Sequence, residues 1–514
     1  MKSRRGVDIS KRRAGVCIPL SAVRSRNDYG AGDMDSVFPF LQWMKKSGLT
    51  VLQLLPLNDL APPDASPYSP ISAFALDPLY AALNRIPELP KPPEASARLK
   101  SAPRVRFADV RAFKTAALRE AFRRFKENDL ARDSSRARKF RSYCRANATW
   151  LADYALFRIL KERSRWKSWE YWPDDCVRRN PAALEKLKKT DAGAFLFHQY
   201  VQWILDGQWS QVRAHARRMG ILLYGDIPFG LNKQSADVWS RQSDFDFTAT
   251  MGAPPDQYSE TGQAWGLPAY RWSRMEEAGH TWWRRRISRA RTHFDLFRLD
   301  HAVGFFRTWL IRRGCALNSF DIDEAPRQRS RGERFFRMCL REGHPAWPIA
   351  EDLGLIPPYL GPTLKKLKIP GYKITPRERT GDSFTHPRAF PEISLATSGN
   401  HDMPPLSAWW SAANPNERDA FWRMVSGGAE KAPRFSPSVR DAVLENIYGA
   451  ASCLVIFPFQ DFFGARERIN VPGTVRNRNW TYRMPRPVEE LLETPQEARR
   501  SAALHALARR SLRL

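Results

Sequence analysis

Cysteine is scarce in this chain, and its spacing excludes several classes of protein. The six cysteines among 514 residues (Cys17, Cys144, Cys176, Cys315, Cys339 and Cys453) form no C-x-x-C pair. Neither a disulfide framework nor a zinc site nor a thiol redox motif is therefore expected, and the six read as reduced thiols in a reducing compartment. Long apolar runs are missing too: no stretch reaches 18 apolar residues, and the basic start, MKSRRGVDISKRRAGVCIPL, leads into no apolar signal core. The expectation is a soluble, cytoplasmic protein with no membrane partner. There is no internal repeat, and bias of composition is confined to the Pro-rich stretch 85–97.

Acidic residues are outnumbered, 54 against 83 Lys plus Arg, for a formal charge of +29. Such an excess attracts polyanions without selectivity. Zinc-finger spacing, an RNA-binding aromatic motif and a basic zipper are all absent, so no specific nucleic-acid partner is expected. The basic residues are scattered through helical segments such as ALREAFRRFKENDLARDSSRARKFRSYCRA, which suits a solvated face. A nucleotide-binding glycine loop is also lacking, because YGAGDM at 29–34 does not have the G-x-G-x-x-G spacing.

What is present is a series of short apolar runs that end in polar or charged residues. They lie at 15–20, 50–59, 220–230, 294–301, 348–354, 371–374, 395–402 and 453–461. Helical patterns lie between them, for example DSVFPFLQWMKKSG, with Gly48 where a helix should stop. Apolar strands alternating with helices imply a parallel sheet buried on both faces, and eight such units imply a closed α/β barrel of the (β/α)8 TIM type. The chain reads as a single catalytic domain over 1–514. A largely helical insertion at 62–218 separates strands two and three, and a helical excursion at 404–450 separates strands seven and eight. Both belong on the rim at the strands' C-terminal ends, where the segment 66–83 forms a loop near the active face. The 18 Trp, 29 Phe and 14 Tyr exceed what packing alone requires, which fits a surface that stacks on sugars or bases.

Three acids stand just after apolar strands: Asp300 in FRLDH, Glu351 in IAEDLG and Asp402 in GNHD. Carboxylates that converge push their pKa values apart, so one can be ionised while another keeps its proton. Cleavage of an acetal with a carboxylate nucleophile and a carboxylic acid needs that pairing.

The motifs SPYSPISAFALDP, YGDIPFGLNKQSADVW, GAPPDQYSETGQAWGLPAYRW, FRLDHAVGFFRTW, IAEDLG, GNHD, IFPFQDFFG, RINVPGT and NWTYRM cover nearly the whole chain. Together they resemble the 4-alpha-glucanotransferases (amylomaltases) of glycoside hydrolase family 77. The PPD-x-x-SETGQ-x-WG string carries the resemblance furthest. It implies that Asp300 is the nucleophile, Glu351 the general acid and then base, and Asp402 the group that holds sugar hydroxyls in the transition state. Arg298 would keep Asp300 ionised and oriented, with His401 on sugar hydroxyls and His301 and Asp226 completing a polar floor. Tyr68 and Trp265 match positions that stack on glucose rings. Ser66, Asp256 and Asn470 match polar substrate contacts, and Glu260, in a loop Pro254 to Tyr270 arching over the cleft, would touch an acceptor. The family usually reads His-Asp-Asn where this chain has His401-Asp402-Met403.

The implied activity is retaining transfer of an α-1,4-glucan segment to the 4-hydroxyl of another glucan or of glucose, with α-1,4-glucans as the partners. Neither a cofactor nor a metal is expected, because no oxygen-rich calcium loop is visible. The rival readings are a glucan hydrolase on the same scaffold, a catalytically idle glucan-binding protein and a polyanion-binding protein.

Overall fold

All eight apolar runs form strands in the computed structural model, which describes residues 6–255, 262–312 and 318–514. They are β1 (Arg13–Ile18), β2 (Val51–Leu54), β3 (Leu222–Ile227), β4 (Leu296–Leu299), β5 (Trp347–Ala350), β6 (Gly371–Ile374), β7 (Ser394–Thr397) and β8 (Leu454–Pro458). Each pairs in parallel with its neighbours and β8 returns to β1, so the sheet closes into a barrel with no edge. Burial on both faces explains why most of these runs are continuously apolar.

The least apolar strand, β6, has a local reason for its composition. A Cβ at Gly371 would come 2.3 Å from Asp352 Oδ2, so glycine is what lets that carboxylate reach the Tyr372 N–H, at 2.6 Å. The Tyr372 hydroxyl takes a hydrogen bond from Gln53 Nε2 at 3.0 Å and lies 3.0 Å from the Tyr224 hydroxyl. A polar layer thus crosses the barrel interior here, where aliphatic side chains would leave these groups unsatisfied.

On β4 the alternation of a strand decides which side chain faces the chemistry. Phe297 and Leu299 join the cluster of Trp283, Phe305 and Phe335. Arg298, between them, pairs in register with Asp226 on β3 and is buried. At the opposite end of the same strand, Asp295 is bound by Arg213 at 3.2 Å and Arg217 at 3.1 Å.

The segment 62–218 carries the α-helices Phe107–Phe125, Ser135–Ala146, Ala148–Arg163, Pro181–Thr190 and Ala192–Arg218, with two short α-helices, Ala97–Ser101 and Asp174–Val177. Helix Ala192–Arg218 anchors the entry to β4, since Trp209 Nε1 donates to the His293 carbonyl at 3.0 Å. Helices Leu406–Ala412, Pro415–Ser426 and Pro437–Tyr448 follow β7. The reading of Pro254 to Tyr270 as a loop needs correction at its end. Gln263–Tyr270 is a strand, paired antiparallel with Phe245–Ala253, which pairs in turn with Trp309–Arg312. Register shifts, with Gly266 and Pro268 inside the strand, hide the period-two signal.

Candidate active site

The C-terminal ends of β3, β4 and β5 bring three carboxylates onto one guanidinium. Arg298 Nη1 donates to both oxygens of Asp226 at 2.8 Å, and Nη2 lies 2.8 Å from Asp300 Oδ1 and 3.2 Å from Glu351 Oε1. Because one nitrogen reaches both Asp300 and Glu351, those two oxygens are no more than about 6 Å apart, which favours the spacing of a retaining pair over the wider one of an inverting pair.

Each carboxylate has a second anchor. The Phe229 N–H donates to Asp300 Oδ2 at 3.1 Å. His301 adopts a left-handed backbone, φ 46°, and its N–H donates to Glu351 Oε2 at 2.7 Å. Burial pushes Glu351 up to about 7, with Arg298 opposing the shift and Asp300 adding to it. Burial likewise raises Asp226, against the pull of Arg298. Burial lowers His301 to about 4, which leaves its imidazole neutral at pH 7. Glu351 is thus a carboxyl able to hold a proton near neutral pH.

The third acid, Asp402, follows β7 and adjoins His401. Asp402 Oδ1 accepts from Asn470 Nδ2 at 2.6 Å, and the Asp402 carbonyl accepts from Arg468 Nη2 at 2.6 Å. Its carboxylate is about two-fifths exposed. The segment that carries it is held from below by buried Asp461, which accepts from Ser398 Oγ at 2.6 Å and the Leu406 N–H at 2.7 Å. Burial moves Asp461 up to about 6.

The aromatic residues divide into two groups. Tyr68 stacks on His401 with centroids 5.0 Å apart and donates to Asp226 Oδ2 at 2.6 Å. Trp480 closes this group, 5.7 Å from Tyr68 and 5.8 Å from His401. On the other side Trp265 meets the His301 ring edge-on at 4.8 Å. Ser66 is half-buried in the loop leading to Tyr68, and among the described residues its hydroxyl makes no hydrogen bond to the carboxylates. Asp256 and Glu260 lie outside the described residues.

Reasoning from sequence missed the Phe229 N–H, Arg468, Asp461 and Trp480. The last three fall in the motifs IFPFQDFFG, RINVPGT and NWTYRM, so the signal was the motif, not any property of the single residue. Among the described residues no group of three His, Cys, Asp or Glu side chains is placed to hold a metal ion, and no helix is long and apolar enough to cross a membrane.

Comparison with known proteins agrees with this geometry. The family model for 4-alpha-glucanotransferases matches residues 18–489. A 4-alpha-glucanotransferase of Chlamydia pneumoniae is 31% identical over 496 residues, covering 93% of this chain and 92% of that protein. One from Thermus thermophilus is 31% identical over 474 residues, covering 89% and 92%. The amylomaltase from Streptococcus agalactiae in complex with acarbose shares the fold with a TM-score of 0.83 at 24% identity, covering 98% of this chain and all of that one. A model match across most of the chain, on a barrel whose strand ends carry the paired acids, makes this protein a member of glycoside hydrolase family 77, the 4-alpha-glucanotransferases.

Proposed function

We propose that the enzyme cuts an α-1,4-glucosidic bond with retention and passes the released glucan to the 4-hydroxyl of a second glucan or of glucose. Asp300 attacks the anomeric carbon while Glu351 protonates the leaving oxygen, giving a glucosyl ester on Asp300. Glu351, now a carboxylate, takes the proton from the acceptor hydroxyl as it displaces Asp300. Two inversions give net retention. Arg298 orients both acids, Asp226 neutralises part of its charge, and Asp402 with His401 and Asn470 holds hydroxyls of the distorted sugar. Tyr68 and Trp265 supply flat faces for glucose rings, with Ser66 as a polar substrate contact.

The observation that carries this reading is the sharing of Arg298 Nη2 between Asp300 and Glu351. Incubation with maltotriose should yield glucose and a ladder of longer maltodextrins. Reducing ends that rise without any longer product would mark a hydrolase instead. Asp300→Asn should abolish turnover while maltodextrin binding persists, and a wild type that binds without turnover would mark an idle glucan-binding protein. The chain reads as one catalytic unit with 62–218 and 404–450 as elaborations of the barrel rim. Its cytoplasmic placement is supported by the five described cysteines, all of them free.

A further inference from the structure

Asp226 also faces a second, smaller space. A cavity of about 40 Å³ is bounded by Asn58, Phe74, Asp226, Arg286, Arg289 and His293. That is room for a small ion or a water molecule, not for a sugar ring.

Most polar groups around it are already engaged. Arg289 makes two bonds of 2.8 Å to Asp206, which His293 Nε2 also meets at 3.0 Å. Both Asp226 oxygens are taken by Arg298. Arg286, from the helix Thr281–His293, is the exception. It is only 3% exposed, and its guanidinium lies over the rings of Trp282 and Trp283. Its Nη1 has no hydrogen-bond partner, and no acid lies within ion-pair distance of it among the described residues. A buried cation left in that state is unfavourable unless a counter-charge reaches it.

We propose that this cavity is a binding site for a monovalent halide, chloride in the cell, which pairs with Arg286 and takes a further hydrogen bond from Asn58. The Asn58 amide spends only one long contact, 3.4 Å, on the Ala75 carbonyl. The Asp226 carboxylate at the cavity wall opposes an anion, but its charge is largely met by Arg298. The excess positive charge of the chain favours the entry of an anion.

The site is linked to the nucleophile through Tyr270 and the Phe229 peptide. Arg286 interacts with the Tyr270 hydroxyl, which donates to the Phe229 carbonyl at 2.7 Å, and the N–H of Phe229 donates to Asp300. An anion that fixes Arg286 therefore fixes the peptide that positions Asp300. In this role Arg286 is a positioning residue.

Diffraction from crystals of the full chain grown in sodium bromide tests the site directly. An anomalous peak beside Arg286 Nη1 is expected, and density for water alone would overturn the site. The coupling is tested by maltotriose disproportionation in sodium chloride against sodium gluconate at equal ionic strength. The wild type should run about fivefold faster in chloride, and Arg286→Gln should lose the difference. Equal wild-type rates in the two salts would overturn the coupling. If Arg286→Gln does not fold, the wild-type comparison and the bromide map still decide. An enzyme without transfer in either salt would count against the proposed function, while the bromide map would still judge the anion site.

Discussion

Two aspartates five residues apart show how position on one strand separates structure from chemistry. Asp295, at the start of β4, is held by two arginines and a backbone N–H, and nothing is left for a ligand. Asp300, just past its end, is about one-fifth exposed at the cleft. Glu351 gives the sharpest test at this scale. Its folded pKa is raised to about 7, so its acid form predominates below that pH, and kcat/KM should fall as pH rises through about 7. Glu351→Gln should remove that limb and lower kcat by about 10²- to 10⁴-fold. The same shift means that the folded state holds this proton more tightly than the unfolded chain does. Stability should therefore decline as pH rises from 4.5, the ordinary glutamate value, through about 7. Urea titrations across that window should show a shallower slope in Glu351→Gln than in wild type, the remainder belonging to the other raised carboxyls, Asp352 and Asp461. The three acids were legible in the sequence because each follows an apolar run. The Phe229 N–H was not, since a backbone donor leaves no residue-type signature.

At the level of elements, the eight strands were legible because parallel strands buried on both faces read as apolar runs. The strand Gln263–Tyr270 was not, because its pairing is shifted and interrupted. Strand β6 shows a third case, where composition serves a neighbour instead of the strand. Gly371→Ala would drive a Cβ against the Asp352 carboxylate, 2.3 Å away before adjustment. We expect a loss of about 1–3 kcal/mol in urea unfolding, with a drop in activity because Asp352 adjoins Glu351. The segment after Asn470 is a second test. Trp480 holds a left-handed backbone, φ 66°, costly for a bulky side chain, while it closes the Tyr68–His401 stack. Trp480→Ala should lower kcat on maltotriose by about 10- to 100-fold, and Trp480→Phe should recover most of it. An unchanged kcat in the alanine variant would assign the ring to packing alone.

On the scale of the whole molecule, charge and fold answer different questions. The formal +29 follows from neither the barrel nor a neutral glucan. It should show as retention on heparin at low ionic strength that vanishes in moderate salt, the mark of a diffuse field. Retention that persists in high salt would point to a dedicated polyanion site. The fold's own demand is one of order in time. Strand β1 ends at Ile18 and its outer partner β8 begins at Leu454, so nearly the whole chain must be made before the two can pair. Until then β1 has an unpaired edge, the kind of surface on which nascent chains associate wrongly. The closure that gives the finished enzyme no edge therefore makes its synthesis the exposed stage of its life. Refolding from denaturant should accordingly be slow and sensitive to protein concentration, with chaperones acting on the chain before β8 arrives.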